Sequence, residues 1–131
     1  MHPDLTAALA PVLADLSATC AVRLEVSDND RGALVGPAVM VWSADGTGTG
    51  ISIDSEESPV EQLVSVTDQV QEAAIEALWM AGRPVTWPQC PRHPDTHPLE
   101  PVVASSRGIW RCPRDDTPVD DIGTLTRRPA T

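Results

Sequence analysis

Residues 87–98 read Trp87-Pro88-Gln89-Cys90-Pro91-Arg92-His93-Pro94-Asp95-Thr96-His97-Pro98, and residues 110–116 read Trp110-Arg111-Cys112-Pro113-Arg114-Asp115-Asp116. Chelation needs several lone pairs converging on a point about 2.0–2.3 Å away. A Cys-x-x-His turn meets that need, because its two inner residues reverse the chain and aim both outer side chains inward. Cys90 to His93 has this form, and Cys112 to Asp115 repeats it nineteen residues after His93 with an acid in the second place. Between the turns, Leu99–Ala104 and Gly108–Arg111 read as two short strands joined by Ser105-Ser106-Arg107. The C-terminal third is therefore expected to be a β-hairpin closed by a metal ion.

Three ligands follow from this chemistry: Cys90, His93 and Cys112. The fourth is His97, on a segment stiffened by Pro94 and Pro98, or Asp115 by internal symmetry, or water. Two thiolates with two imidazoles suit zinc better than a four-thiolate iron site. A mixed-ligand iron–sulfur centre would place two cysteines on one iron and two histidines on the other, against the pairing within one turn. A Cys90–Cys112 disulfide would staple the same hairpin. With three cysteines in the chain an odd thiol is always left, which favours metal in a reducing compartment over a disulfide framework. Trp87 and Trp110 each lie just ahead of a ligand turn and are expected to pack around the module. Cys20 stands apart, with no assigned role.

Working outward, Pro59–Ala81 is the clearest helix. Ser58 can cap it, Pro59 suits its first position, and Glu61 completes a capping box. Leu63, Val64, Val70, Ala74, Ala77, Leu78 and Ala81 give it an apolar face that Val60 and Val66 widen, and Gly82 ends it. Glu61, Asp68, Glu72 and Glu76 form a like-charged stripe, read as a solvated face or as a docking surface for a basic partner. Upstream, Leu5, Ala8, Leu9, Val12, Leu13 and Leu16 mark a helix over residues 4–18, with Pro11 expected to kink or split it. Residues 20–26, 39–42 and 50–54 read as strands, and the gaps between them are too short for helical crossovers, so they form an antiparallel meander. Ser27–Gly32 is a turn without the ligand pattern of a calcium loop. Asp45–Gly50 is a glycine-rich hairpin connection, lacking the lysine of a phosphate loop. The fold expected is α+β: an N-terminal helix, a three-stranded antiparallel sheet, a long amphipathic helix and a C-terminal zinc-bound β-hairpin, divided into a body (1–83) and a zinc-ribbon-like module (84–131).

Nineteen acids against nine bases, all arginine, give a formal charge of -10. Residues 1–83 carry thirteen acids and three arginines, whereas residues 84–131 carry six of each. Such a body repels phosphate backbones, which disfavours nucleic acid as a partner. No apolar run approaches the roughly 20 residues of a membrane span, and no secretory pattern opens the chain, so a cytoplasmic location without membrane contact is expected. No His-Glu-x-x-His pattern, deaminase pattern or free activated cysteine is present, so no catalytic residue is assigned.

The stretch from Cys90-Pro91-Arg92-His93 to Trp110-Arg111-Cys112-Pro113 resembles a zinc ribbon in which one cysteine of each turn is replaced. It is also similar to the C-terminal end of a family of small uncharacterised actinobacterial proteins, where Trp-Pro-x-Cys-Pro-x-His follows a helix ending in Leu-Trp, here Leu78-Trp79. The resemblance to zinc ribbons implies a binding module. The function expected is a non-enzymatic, zinc-stabilised interaction or adaptor protein. Its rivals are a metal-dependent enzyme with an open zinc position and a weak nucleic-acid-binding regulator using Arg92, Arg107, Arg111 and Arg114.

Overall fold

The structure, a computed structural model, describes residues 1–28 and 37–126. Its order is α1 (Pro3–Thr19), β1 (Glu25–Asp28), β2 (Ala38–Trp42), β3 (Gly48–Ser52), α2 (Pro59–Met80), β4 (Glu100–Ala104), β5 (Arg107–Arg111) and β6 (Pro118–Asp121). Two antiparallel sheets result, β1-β2-β3 and β4-β5-β6, so the fold is α+β.

His2 opens α1, its Nδ1 accepting from the Asp4 amide at 3.1 Å, and Pro3 occupies the first turn, where its missing donor costs nothing. Leu5, Ala8, Leu9, Val12 and Leu16 are buried. The helix runs as one element through Pro11 and is not split into two. A proline removes one intrahelical bond, and the buried apolar residues on both sides of it keep the two halves in one helix. Pro11 is half-buried beside Gly123, where a φ of 101° and a Cβ that would lie 3.0 Å from the Pro11 Cβ both favour glycine.

The first strand is shorter than expected. Residues 20–24 are not strand, and pairing starts at Glu25, opposite Trp42. Beyond Trp42 the partner chain leaves in the β2–β3 turn, so nothing is left for residues 20–24 to pair with; Cys20 instead closes α1, its amide donating to the Leu16 carbonyl at 2.9 Å. Of the turn expected at 27–32, Ser27 and Asp28 belong to β1 and the rest lies outside the described residues. The expected hairpin connection forms but is shorter, because Gly48–Gly50 already pair with β2, and β3 runs Gly48–Ser52 where residues 50–54 were expected. Val39, Val41 and Ile51 of the sheet are buried, as is Ile53 just beyond it, while on the other face the Trp42 ring lies so close over Gly48 that a Cβ there would sit 2.5 Å from it.

Helix α2 is the hub, touching α1, β3, β4 and β5. The Glu61 amide donates to Ser58 Oγ at 3.3 Å and Glu61 Oε1 accepts from that hydroxyl at 2.8 Å, so the capping pair forms with the serine hydroxyl as the carboxylate's donor. Val66, Val70, Ala73, Ala74, Ala77 and Leu78 are buried, whereas Leu63 and Val64 are half-buried and Ala81, past the helix end, is exposed. Glu61, Asp68, Glu72 and Glu76 are all exposed. The buried face also carries polar side chains, each with a partner: Gln62 Nε2 donates to the Asp54 carbonyl at 3.0 Å and Thr67 Oγ1 to the Leu63 carbonyl at 2.7 Å. At its edge, Gln69 grips β3, accepting from the Ser52 amide at 3.0 Å and donating to its carbonyl at 2.8 Å.

The C-terminal hairpin becomes a three-stranded sheet. The added strand is Pro118–Asp121, and just beyond it Ile122 turns inward to be buried and Leu125 packs on the core. The β4–β5 turn is also tighter than expected: Ala104 pairs directly with Arg107, leaving Ser105 and Ser106 at φ 50° and 60°. One hydrophobic cluster joins α1, the first sheet and α2 to Trp87, Cys90, Leu99, Trp110, Cys112 and Ile122, across the boundary at residue 83.

Candidate metal centre

Cys90, His93, His97 and Cys112 come together, one donor atom from each lying within 4.8 Å of the others. The cysteines are buried and the histidines half-buried. The individual separations say what the cluster can do. His93 Nδ1 lies 3.6 Å from Cys90 Sγ, 3.5 Å from Cys112 Sγ and 3.2 Å from His97 Nε2, and that Nε2 lies 3.8 Å from Cys112 Sγ. Tetrahedral bonds of about 2.3 Å to sulfur and about 2.05 Å to nitrogen give edges near 3.5 Å for S···N and near 3.3 Å for N···N. These four separations match those edges and the other two lie within 4.8 Å, so the residues fit a divalent ion held in near-tetrahedral fashion.

Local structure aims each donor. Cys90–His93 is a turn closed by the His93 amide on the Cys90 carbonyl at 3.2 Å, and the Thr96 hydroxyl donates to the His93 carbonyl at 2.6 Å, bending the chain back so that His97 returns to the cluster. His97 Nδ1 is 3.2 Å from the Pro98 carbonyl oxygen. A carbonyl only accepts, so Nδ1 carries the proton and Nε2 presents its lone pair to the cluster, the arrangement that orients metal-bound imidazoles. Cys112 follows β5 directly and opens a turn closed by the Asp116 amide on its carbonyl at 2.9 Å.

Burial pushes the Cys112 thiol up, while the Asp115 and Arg114 amides aimed at its sulfur pull the other way, towards thiolate. A cation at the centre would add to that pull. Asp115 stands outside the four-donor cluster. The Thr117 side chain, followed by contacts with Cys112, the Thr117 amide and Arg92, holds its carboxyl well below the usual range, at about 2. Arg92 spans the two ligand turns, 2.9 Å from Asp115 Oδ2 and donating to Thr117 Oγ1 at 2.8 Å.

Trp87 and Trp110 are buried edge to face, with centroids 5.9 Å apart and planes at 73°. Their indole donors reach α1: Trp87 Nε1 donates to Thr19 Oγ1 at 2.9 Å and Trp110 Nε1 to Asp15 Oδ2 at 2.8 Å. Asp15, fully buried, also accepts from the Gly123 amide at 2.7 Å and the Leu125 amide at 2.9 Å. Gln71 of α2 does the same work from the other side, donating to the Leu99 carbonyl at 2.6 Å and the Trp87 carbonyl at 3.2 Å. Sequence reasoning missed both residues, although each sits in phase with its helix's apolar stripe, Asp15 three after Val12 and Gln71 three before Ala74. A polar residue in phase with a buried face is the signal that could have found them.

Three of the four arginines considered for nucleic acid are ion-paired: Arg92 with Asp115, Arg107 with Asp121, and Arg111 with Glu100, the last at 2.5 Å. None of the four donors lines the concavities of about 650, 640 and 360 Å³ found elsewhere on the molecule. Among the described residues no helix is long and apolar enough to cross a membrane. Comparison with protein families, with curated proteins and with solved structures finds no match.

Proposed function

We propose that this chain is a non-enzymatic interaction or adaptor protein whose zinc-ribbon-like C-terminal module is stapled by one zinc ion. The observation that carries this reading is the convergence of four protein donors, four of whose six separations match the edges of a tetrahedron. A catalytic zinc keeps a position open for water and faces a substrate cavity; here the four donors fill the coordination sphere and none lines a concavity described above. The ion would neutralise two thiolates, and its binding free energy would add to folding. The ion pairs that occupy Arg92, Arg107 and Arg111 weigh against nucleic acid. The partner surface is the exposed face of α2, where Glu61, Asp68, Glu72 and Glu76 lead towards the exposed Trp79 and Met80, a composition suited to a basic segment with an apolar anchor.

Metal content by native mass spectrometry, paired with thermal melts, tests the staple. One zinc per chain is expected in the wild type and in Asp115→Ala, with loss of metal and a lower melting point in His97→Ala. A protein that purifies without stoichiometric metal, and melts at the same temperature in a strong chelator, overturns the reading.

A further inference from the structure

A concavity of about 650 Å³ lies away from the candidate metal centre, where the end of α1 meets the unpaired segment leading into β1. Its walls include Leu13, Leu16, Val22 and Leu24, and Arg23 and Arg83 also line it. Its size falls in the range of small-molecule sites, and such sites combine apolar walls with a few polar groups that fix orientation.

The charge pattern sets it apart. The chain carries nineteen acids, yet among the described residues none of the eleven lining this concavity is acidic. The similar concavity beside the start of α2 is lined by Asp4, Glu57 and Asp121, and its one arginine, Arg107, is ion-paired to Asp121. Arg23 and Arg83, by contrast, are exposed and make no ion pair among the described residues. Two guanidinium groups without an ion pair among the described residues, at a cleft whose walls are part apolar and part polar, form a local site of opposite sign to the strongly acidic whole. Burial holds the Cys20 thiol above its ordinary value, so this wall carries no thiolate to repel an anion.

We propose that this cleft binds a small aliphatic carboxylate, with its chain against Leu13, Leu16, Val22 and Leu24 and its carboxylate on Arg23 and Arg83. The apolar walls take the chain through the hydrophobic effect, and a planar guanidinium matches a carboxylate through paired N–H donors. The site is independent of the metal centre, and it stands or falls without the zinc reading.

The test is a titration of the metal-loaded, full-length protein with decanoate below its micelle concentration, followed by amide NMR shifts, with decanol and decylammonium as matched probes. Saturable shifts centred on Val22 and Leu24 are expected for decanoate. Decanol should bind about tenfold more weakly or worse, as should decanoate to Arg23→Gln/Arg83→Gln, since each lost charge-assisted contact is felt directly in affinity. Equal binding of decanol and decanoate to the wild type overturns the proposal without recourse to a variant. So do shifts scattered over the surface, or undiminished affinity in a folded double variant.

Discussion

Asp15 is a carboxylate placed fully inside the protein, where it takes three hydrogen bonds, from the Trp110 indole and from the amides of Gly123 and Leu125. Those donors lie about a hundred residues away along the chain, so one side chain fixes α1 to the C-terminal sheet. Asp15→Ala would leave three buried donors without an acceptor and should destabilise the protein by about 3–5 kcal/mol, read from the midpoint of urea unfolding. Asp15→Asn should recover little of this, because one acceptor oxygen is replaced by an NH2 that faces donors. Near-wild-type stability in the asparagine variant would show that the carboxylate is not what binds those amides. Much of the metal centre was legible because Cys90, His93, His97 and Cys112 are rare residue types at a spacing with a chemical meaning. Asp15 was not legible, since its partners are backbone amides and an indole that local spacing does not connect.

At the scale of elements, α2 was readable almost to the residue, because Ser58, Pro59 and Gly82 mark its ends and a long 3.6-residue period fills it. Strand limits were less readable. The alternation of Val22, Leu24 and Val26 is real, but whether it becomes a strand depends on a partner, and β2 ends opposite Glu25. Likewise β6 carries no strong alternation and exists because β5 offers it an edge. The β4–β5 turn carries two serines at positive φ, where Asn-Gly is favoured for a two-residue hairpin. Ser105→Asn/Ser106→Gly should therefore stabilise the protein by about 0.5–1 kcal/mol, measured by chemical denaturation. In the β2–β3 turn, hydrogen bonds from the Ser43 hydroxyl, first, and the Thr47 amide hold the Asp45 carboxyl below its ordinary value. A depressed folded pKa means that the contribution is present above the unfolded value of about 3.9 and is lost as pH falls through the folded one. Carbon-detected NMR titration should show Asp45 ionising below a free aspartate, with Thr47 amide protection declining as the carboxyl protonates.

For the molecule as a whole, one hydrophobic cluster takes in Cys90 and Cys112 of the candidate metal centre together with Leu5, Leu9 and Val12 of the body. Removing the ion with a chelator should lower the melting temperature and speed amide exchange in α1 as well as in β4–β6. Exchange confined to residues 84–126 would instead mark the two parts as separable. The four tryptophans, in a chain without tyrosine or phenylalanine, divide into a shielded pair, Trp87 at 4% and Trp110 at 0% exposure, and an open pair, Trp42 at 40% and Trp79 at 72%. The protein thus has two built-in optical probes. Acrylamide should dim the red-shifted emission of the outer indoles, while cobalt substituted at the cluster should drain the blue-shifted light of the inner ones by energy transfer, so that metal loading and surface occupancy can be followed in the same cuvette.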